Sequence, residues 1–452
     1  MLALTKRLLA DRTGNFGVMT ALLAVPLTGA AGLAIDISHA LSLRTQLYAA
    51  ADAAAVGAIS EQSPAVAEAM AMQGDGTITV GSSDARNIFV SQMHGEASEL
   101  PLNLEIVVTK TGAVIESRVD FSAVMPTTFM KVLGRESVTI GGTATARYQT
   151  PAFMDFYMLL DNTPSMGVAA TKDDIARMID VTANGYRGPK NTGADKKCAF
   201  ACHIVSESGV ADPYSYYNVA LAEKIPIRID VVAEATKALM ETAKRTQTVD
   251  KQFQMAAYTF GETAKDAQLF EVAQITPNFD TVAEATEKIK LMSIPYQNYN
   301  KDQQTSFDDA LERIGDKITG LAGTGNSAAD RQKIVFMVSD GVGDHYKPTG
   351  CTSPKGIVDN TPGRCIEPID TKHCDDLKKR NIKIAILYTT YLPLEENDFW
   401  RRWVKPFGDK IGSKMQECAS PGYYFEVSLE QGIEDAMKAL FHKIVSTPRI
   451  TS

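Results

Sequence analysis

Residues 16–35, FGVMTALLAVPLTGAAGLAI, carry no charged side chain. A helix of that length rises about 30 Å, the thickness of the hydrocarbon core of a bilayer. Lys6, Arg7 and Arg12 precede the run and Asp36 follows it. The positive-inside rule then puts the N-terminus in the cytoplasm and the rest of the chain outside. The pattern predicts a cytoplasmic leader over 1–15 and a transmembrane helix over 16–36. Pro26, Gly29 and Gly32 are tolerated in a membrane span, where neighbouring groups re-satisfy the backbone. Two other readings compete: a signal peptide cut at small residues near Ala34, which would also export the chain, and a buried core helix.

The helical pattern continues past the span. Ala40, Leu43, Leu47, Ala50, Ala54 and Gly57 recur at steps of three and four, a single stripe on a second helical stretch over 37–70. The stripe is mostly small, so either a partner helix or the next part of the chain can approach closely. Residues 71–150 read as β-rich. LNLEIVV alternates apolar and polar positions up to a hairpin turn at Lys110-Thr111-Gly112, and SVTIGGTATARYQ adds another strand. Pro151 marks a boundary. From there to 447, FYMLL, FQMAAYTF, KIVFMVS, KIAILYTT and YYFEV are short, continuously apolar runs, the signature of strands buried on both faces. Amphipathic stretches at 229–245, 281–292, 305–319, 373–380 and 429–445 alternate with them. The expected fold class is α/β: a membrane helix, a small β-rich region, then a doubly wound, mostly parallel sheet with helices on both faces. Two insertions interrupt that last domain, at 167–226 and 344–372.

Composition changes this picture little. The chain has 452 residues and a net charge of −8, with no basic run of the kind that binds nucleic acid. The cysteines matter more. In an exported chain the six at 198, 202, 351, 365, 374 and 418 are expected in disulfides. Cys374 is expected to pair with Cys418, and Cys198, Cys202, Cys351 and Cys365 to staple the two insertions. CAFAC with His203 has metal-like spacing, but zinc wants four ligands and no second close pair follows.

Ligands of doubly wound sheets bind at the carboxyl ends of strands, and oxygen-bearing side chains cluster there. Asp161, Thr163 and Ser165 follow FYMLL; Asp340 follows KIVFMVS; Thr305 opens TSFDDALERIGDKI. Together they offer two carboxylates and three hydroxyls, an all-oxygen set suited to Mg2+. Ser306, beside Thr305, is an alternative ligand. Asp308 and Asp309 read as solvated residues of a first helical turn, and Asp344 with His345 as structural.

Two resemblances arise from these residues. Arg12, Gly14, Asp36 and TQLYAAADAAA are similar to the N-terminal segment of TadE/TadG-type proteins of tight-adherence (Flp) pilus assembly. DNTPS, QTSFDDAL and VSDG resemble the metal-ion-dependent adhesion site (MIDAS) of von Willebrand factor type A domains, with Thr163 in place of a serine. TadG-like proteins combine both. The resemblance implies a non-enzymatic inner-membrane protein with its bulk in the periplasm. Such a protein carries Mg2+ or Mn2+ and binds pilins, pseudopilins or secretion-machine proteins through a metal-bridged acidic residue. In that family a helix usually follows the first metal loop at once; here some 60 residues intervene before RIDVVAEATKAL. The alternatives are a released adhesin that binds surfaces or matrix, and a phosphatase with Asp161 as nucleophile. The latter chemistry wants a second acid at position 163, which is Thr.

Overall fold

The structure is a computed structural model that describes residues 15–446, apart from 73, 186–195, 297–298, 353–361, 392, 396 and 429–431. The expected leader over 1–15 thus lies almost wholly outside the described residues. The chain divides into two compact units between Thr150 and Pro151.

The first unit is built on one long helix, α1 (Asn15–Gly57). Its first half stands exposed, and burial begins at Gly32. From there Asp36, Ala40, Leu43, Leu47, Ala50 and Ala54 are buried in turn, so the small-residue stripe is the face that packs on the rest of this unit. Helices α2 (Pro64–Ala71) and α3 (Thr79–Gln92) follow. A four-stranded antiparallel sheet completes the unit, in the order β1 (Gly76–Thr77), β2 (Leu102–Thr111), β3 (Val114–Pro126), β4 (Ser137–Gln149). The predicted turn after Lys110 joins β2 to β3. Helix α3 is an addition to the β-rich reading of the region after residue 71. Gly81, Ala85 and Phe89 are its buried positions, a four-residue repeat that no strand makes. Gly142 explains part of the SVTIGGTATARYQ pattern: a Cβ built there would fall 2.2 Å from the Tyr48 ring. The missing side chain lets that ring, edge-on to Phe121 at 5.1 Å, lie on the sheet.

The second unit holds a six-stranded sheet in the order β12-β11-β8-β5-β6-β7. These are β5 (Met154–Leu160), β6 (Phe253–Thr259), β7 (Phe270–Thr276), β8 (Gln332–Ser339), β11 (Lys383–Thr389) and β12 (Tyr424–Val427). Every residue of β5 is buried, as a central strand with both faces covered requires. Helices α4 (Lys172–Val181), α5 (Arg228–Thr246), α6 (Phe279–Thr286), α7 (Phe307–Lys317), α8 (Lys372–Lys379), α9 (Gly408–Cys418) and α10 (Ile433–Ser446) accompany it. The five predicted strands and five predicted helices all form. The edge strand β7 is an addition, and it pairs antiparallel with β6. Only residues 260–269 connect the two, too few for the crossover that a parallel neighbour needs.

A separate hairpin, β9 (Val342–Tyr346) with β10 (Arg364–Pro368), fills much of the second insertion. Disulfides join Cys351 to Cys365 and Cys374 to Cys418. The second links α8 to α9 as expected and closes a loop worth about 4 kcal/mol of unfolded-state entropy. Cys198 and Cys202 do not join them; the Cys198 Sγ instead accepts the Phe200 amide at 3.4 Å.

Candidate metal site

The order in which strands are added reverses in the sheet between β5 and β8. After β5 the chain adds β6 and β7 on one side, then returns to place β8, β11 and β12 on the other. This is the topological switch point, where adjacent strand ends diverge and leave a crevice. Strands β5 and β8 are parallel neighbours, with Leu160 opposite Val338. Register therefore sets Asp161 level with Ser339, and Asp340 follows one residue further on.

Both carboxylates are fully buried. Asp161 is tightly held. Its Oδ1 accepts the Thr163 amide at 3.0 Å and the Thr163 hydroxyl at 2.7 Å; its Oδ2 accepts the Ser339 hydroxyl at 2.5 Å. Thr163 in turn lies 3.4 Å from the Ser165 hydroxyl. Asn162 points away and ties the loop down, donating to the carbonyls of Gly261 and Lys290. Asp340 is held far more loosely. Its Oδ1 accepts a long 3.4 Å bond from the Val342 amide, the Ser165 hydroxyl also pulls on the carboxylate, and its Oδ2 makes no hydrogen bond but pairs with Arg228 at 3.8 Å. Gly341, at φ +75°, makes the sharp exit from β8 that no other residue makes without strain.

Burial raises the pKa of both groups. For Asp340, desolvation and then the neighbouring Asp161 charge push it up to about 7, against the opposing pull of Arg228 and the Ser165 hydroxyl. Asp161 is raised by burial and held back by its Ser339 and Thr163 hydrogen bonds.

Four of the five residues picked from sequence thus converge: Asp161, Thr163, Ser165 and Asp340. Thr305 comes in differently. Its backbone pairs both ways with Asp344, at 2.9 and 3.0 Å, just before α7. The neighbouring Ser306 caps α7 by accepting the Asp309 amide at 3.2 Å. Asp308 and Asp309 are half-buried rather than solvated, because Asp308 faces Lys347 at 3.2 Å. Asp344 pairs with Arg364, Nε to Oδ1 at 2.8 Å, within the β9–β10 hairpin. His345 stands 3.6 Å from the buried Glu367.

Arg228 is the residue that sequence reasoning missed. It is 2% exposed and its Nη1 lies 3.8 Å from Asp340 Oδ2. Its guanidinium also donates to the carbonyls of Thr389 and Thr390. A signal was present: Arg228 opens a helix, where a cation opposes the macrodipole.

The first insertion covers this site. Ala201 donates to the Gly167 carbonyl at 2.8 Å. A Cβ on Gly167 would fall 2.6 Å from the Ala201 carbonyl oxygen. Phe200 and Val168 from the insertion, with Tyr391 and Leu394, close in beside Ser165, Arg228 and Asp340.

The first unit, a long helix on an antiparallel sheet with its leading half apolar and exposed, directs attention to the N-terminus. Residues 14–71 match the family model described as "Putative Flp pilus-assembly TadE/G-like". The chain carries a TadE/G-like N-terminal segment. That segment contains the helix long and apolar enough to cross a membrane, and the two together point to a membrane-anchored protein. No curated protein matches the chain. Solved structures similar to it include the pilus adhesin SpaC from Lactobacillus rhamnosus GG, with 10% identity and a TM-score of 0.36, over 76% of this chain and 34% of that one. Another is the vWF domain of the type V pili tip protein Mfa5 from Porphyromonas gingivalis, with 9% identity and a TM-score of 0.33, over 67% and 99%. A third is proximal thread matrix protein 1 from the mussel byssus with a zinc-occupied MIDAS motif, with 13% identity and a TM-score of 0.30, over 65% and 45%. At such identities and scores the fold rests on the strand order of the chain itself.

Proposed function

We propose that this protein is a non-enzymatic component of tight-adherence pilus assembly, anchored in a bacterial inner membrane with its N-terminus cytoplasmic and its bulk periplasmic. Its second unit is a von Willebrand factor A-like binding domain. Asp161, Thr163, Ser165, Thr305 and Asp340 would hold Mg2+ or Mn2+. The observation that carries this reading is the pair of buried aspartates at the switch point, one of them with an oxygen that has no hydrogen-bond partner.

The residues fit such an ion. All donors are hard oxygens, the preference of Mg2+ and Mn2+. A buried carboxylate oxygen with no hydrogen bond and only a guanidinium 3.8 Å away is costly, and a closely bound metal cation would satisfy it. When bound, the ion supplies an electrophilic centre for an acidic side chain of a pilin, pseudopilin or secretion-machine protein. The chain's own residues do the rest. Thr163 and Ser339 orient Asp161, Arg228 balances part of the charge, and Phe200, Tyr391 and Leu394 keep water away.

The test is Mn2+ titration of the purified full chain in detergent, read by electron paramagnetic resonance. Paired with it is capture of envelope proteins with and without chelator. Asp161→Ala is expected to lose Mn2+ binding at least 100-fold and to lose chelator-sensitive capture, with an unchanged circular dichroism spectrum. Equal Mn2+ binding by both chains would refute the site.

A further inference from the structure

The hairpin loop between β3 and β4 carries a group of exposed apolar side chains: Phe129, Val132 and Leu133 are 45%, 88% and 65% exposed. Large apolar residues this exposed in one short turn mark a contact surface. The loop is well built. Thr127 pairs with Glu136 through its amide at 3.0 Å and with the Arg135 carbonyl through its hydroxyl. Gly134 at φ +80° closes the turn after residues 130–133.

Its position is fixed by α1. The Asp36 carboxylate accepts the amides of Thr128, Phe129 and Met130 at 3.1, 2.9 and 2.6 Å. Phe129 also lies directly on Gly32, where a Cβ would fall 2.6 Å from the Phe129 Cβ. Gly32 is one helical turn, about 6 Å, inside Asp36, within the uncharged run. The loop therefore hangs back along the helix past the charge that ends the span. Lys131 and Arg135 are exposed beside the apolar group. Basic residues flanking apolar ones suit the boundary between acyl chains and anionic headgroups.

We propose that the 129–133 loop inserts into the outer leaflet of the same bilayer that α1 spans. It forms a second membrane contact that fixes the tilt and rotation of the anchor. This rests on α1 being a membrane anchor; what it adds is the occupant of the exposed loop. Continuity with the span argues for lipid over a protein partner.

The experiment places single tryptophans in the full chain, reconstituted in phosphatidylglycerol-containing vesicles with acyl-brominated lipid. Trp400 and Trp403 in the parent chain set the background. Leu27→Trp reports the span, at an exposed position of α1. Val132→Trp reports the loop. Val90→Trp, exposed on α3 near the far end of α1, where Ile88 meets Gly57, is the control. The expected result is at least twofold quenching of the added signal at 27 and at 132, and none at 90. Quenching at 27 without quenching at 132 overturns the loop proposal and leaves the anchor standing. No quenching at 27 overturns the anchor reading itself, and the loop proposal with it.

Discussion

Asp36 and Asp340 are the same residue at the same kind of place in the sequence: each ends an apolar run, and each is almost completely buried. Their surroundings differ. Asp36 accepts three backbone amides from a neighbouring loop. Asp340 accepts one long backbone bond beside the Ser165 hydroxyl, and its second oxygen makes no hydrogen bond and lies 3.8 Å from Arg228. A buried carboxylate saturated by backbone donors is architecture: it holds one chain segment on another. A buried carboxylate left short of donors, with a second carboxylate beside it, stores capacity for a ligand. The first unit thus uses its aspartate to build, whereas under the proposed function the second keeps its aspartate to bind.

The strongest way to break this comparison is to remove Arg228. If Asp340 is a binding group, Arg228→Gln leaves two facing carboxylates without internal compensation. Loss of one partner from a buried pair costs about 3 kcal/mol, and the loss should be measurable by chemical denaturation in chelator. Millimolar Mg2+ should restore most of it, because the cation then replaces the guanidinium. An equal loss with and without Mg2+ would make Arg228 purely structural and Asp340 no different from Asp36. The reciprocal change is Asp36→Ala, which strands three amides that only this carboxylate satisfies. It should lower the thermal midpoint of the detergent-solubilised chain, whereas Mg2+ should have no effect on the size of that drop.

What could be read in advance follows the same division. Positions dictated by the chain's own periodicity were legible: the buried strands, the helix stripe from Ala40 to Ala54, and Asp161 and Asp340 at strand ends. Positions dictated by partners distant in sequence were not. Arg228 reads only as a misplaced cation at a helix start until β11 brings the Thr389 carbonyl to it. Asp308 reads as solvated until Lys347, from the loop after β9, reaches it. Helix α3 was masked by the β-rich sequence around it, since its apolar positions are mostly small or single. The bridge between Cys374 and Cys418 was legible because strand-and-helix alternation already set α8 near the last strand. The behaviour of Cys198 and Cys202 depends on how the first insertion folds, which no periodicity encodes.

The pH dependence sharpens the comparison on a smaller scale. Desolvation, with the neighbouring Asp161, raises Asp340 to about 7; burial also raises Asp344 to about 7, against its pairing with Arg364. Between the unfolded carboxylate value near 4 and this raised value, the folded chain binds more protons than the unfolded one. Stability in chelator therefore falls as pH rises through that window. Thermal midpoints from pH 4.5 to 7.5 should show this decline. Asp340→Asn should flatten it in part, leaving the share due to Asp344. Added Mg2+ at pH 7.5 should raise the midpoint of the parent chain and leave Asp340→Asn unmoved; an equal rise in both would place the ion elsewhere.

The smallest expected effect separates the two neighbours that compete for the third hydroxyl. Ser306 caps α7 through the Asp309 amide, so Ser306→Ala should cost about 1 kcal/mol of stability and leave Mn2+ affinity unchanged. Thr305→Ala, with its backbone pairing to Asp344 intact, should do the reverse: little change in stability, and weaker Mn2+ binding by roughly tenfold, the equivalent of about 1.4 kcal/mol. Thr305→Ser keeps the hydroxyl and should restore the affinity, so the loss cannot be assigned to packing. If instead Ser306→Ala weakens the ion and Thr305→Ala does not, the capping residue is also the ligand, and architecture and binding share one side chain where Asp36 and Asp340 keep them apart.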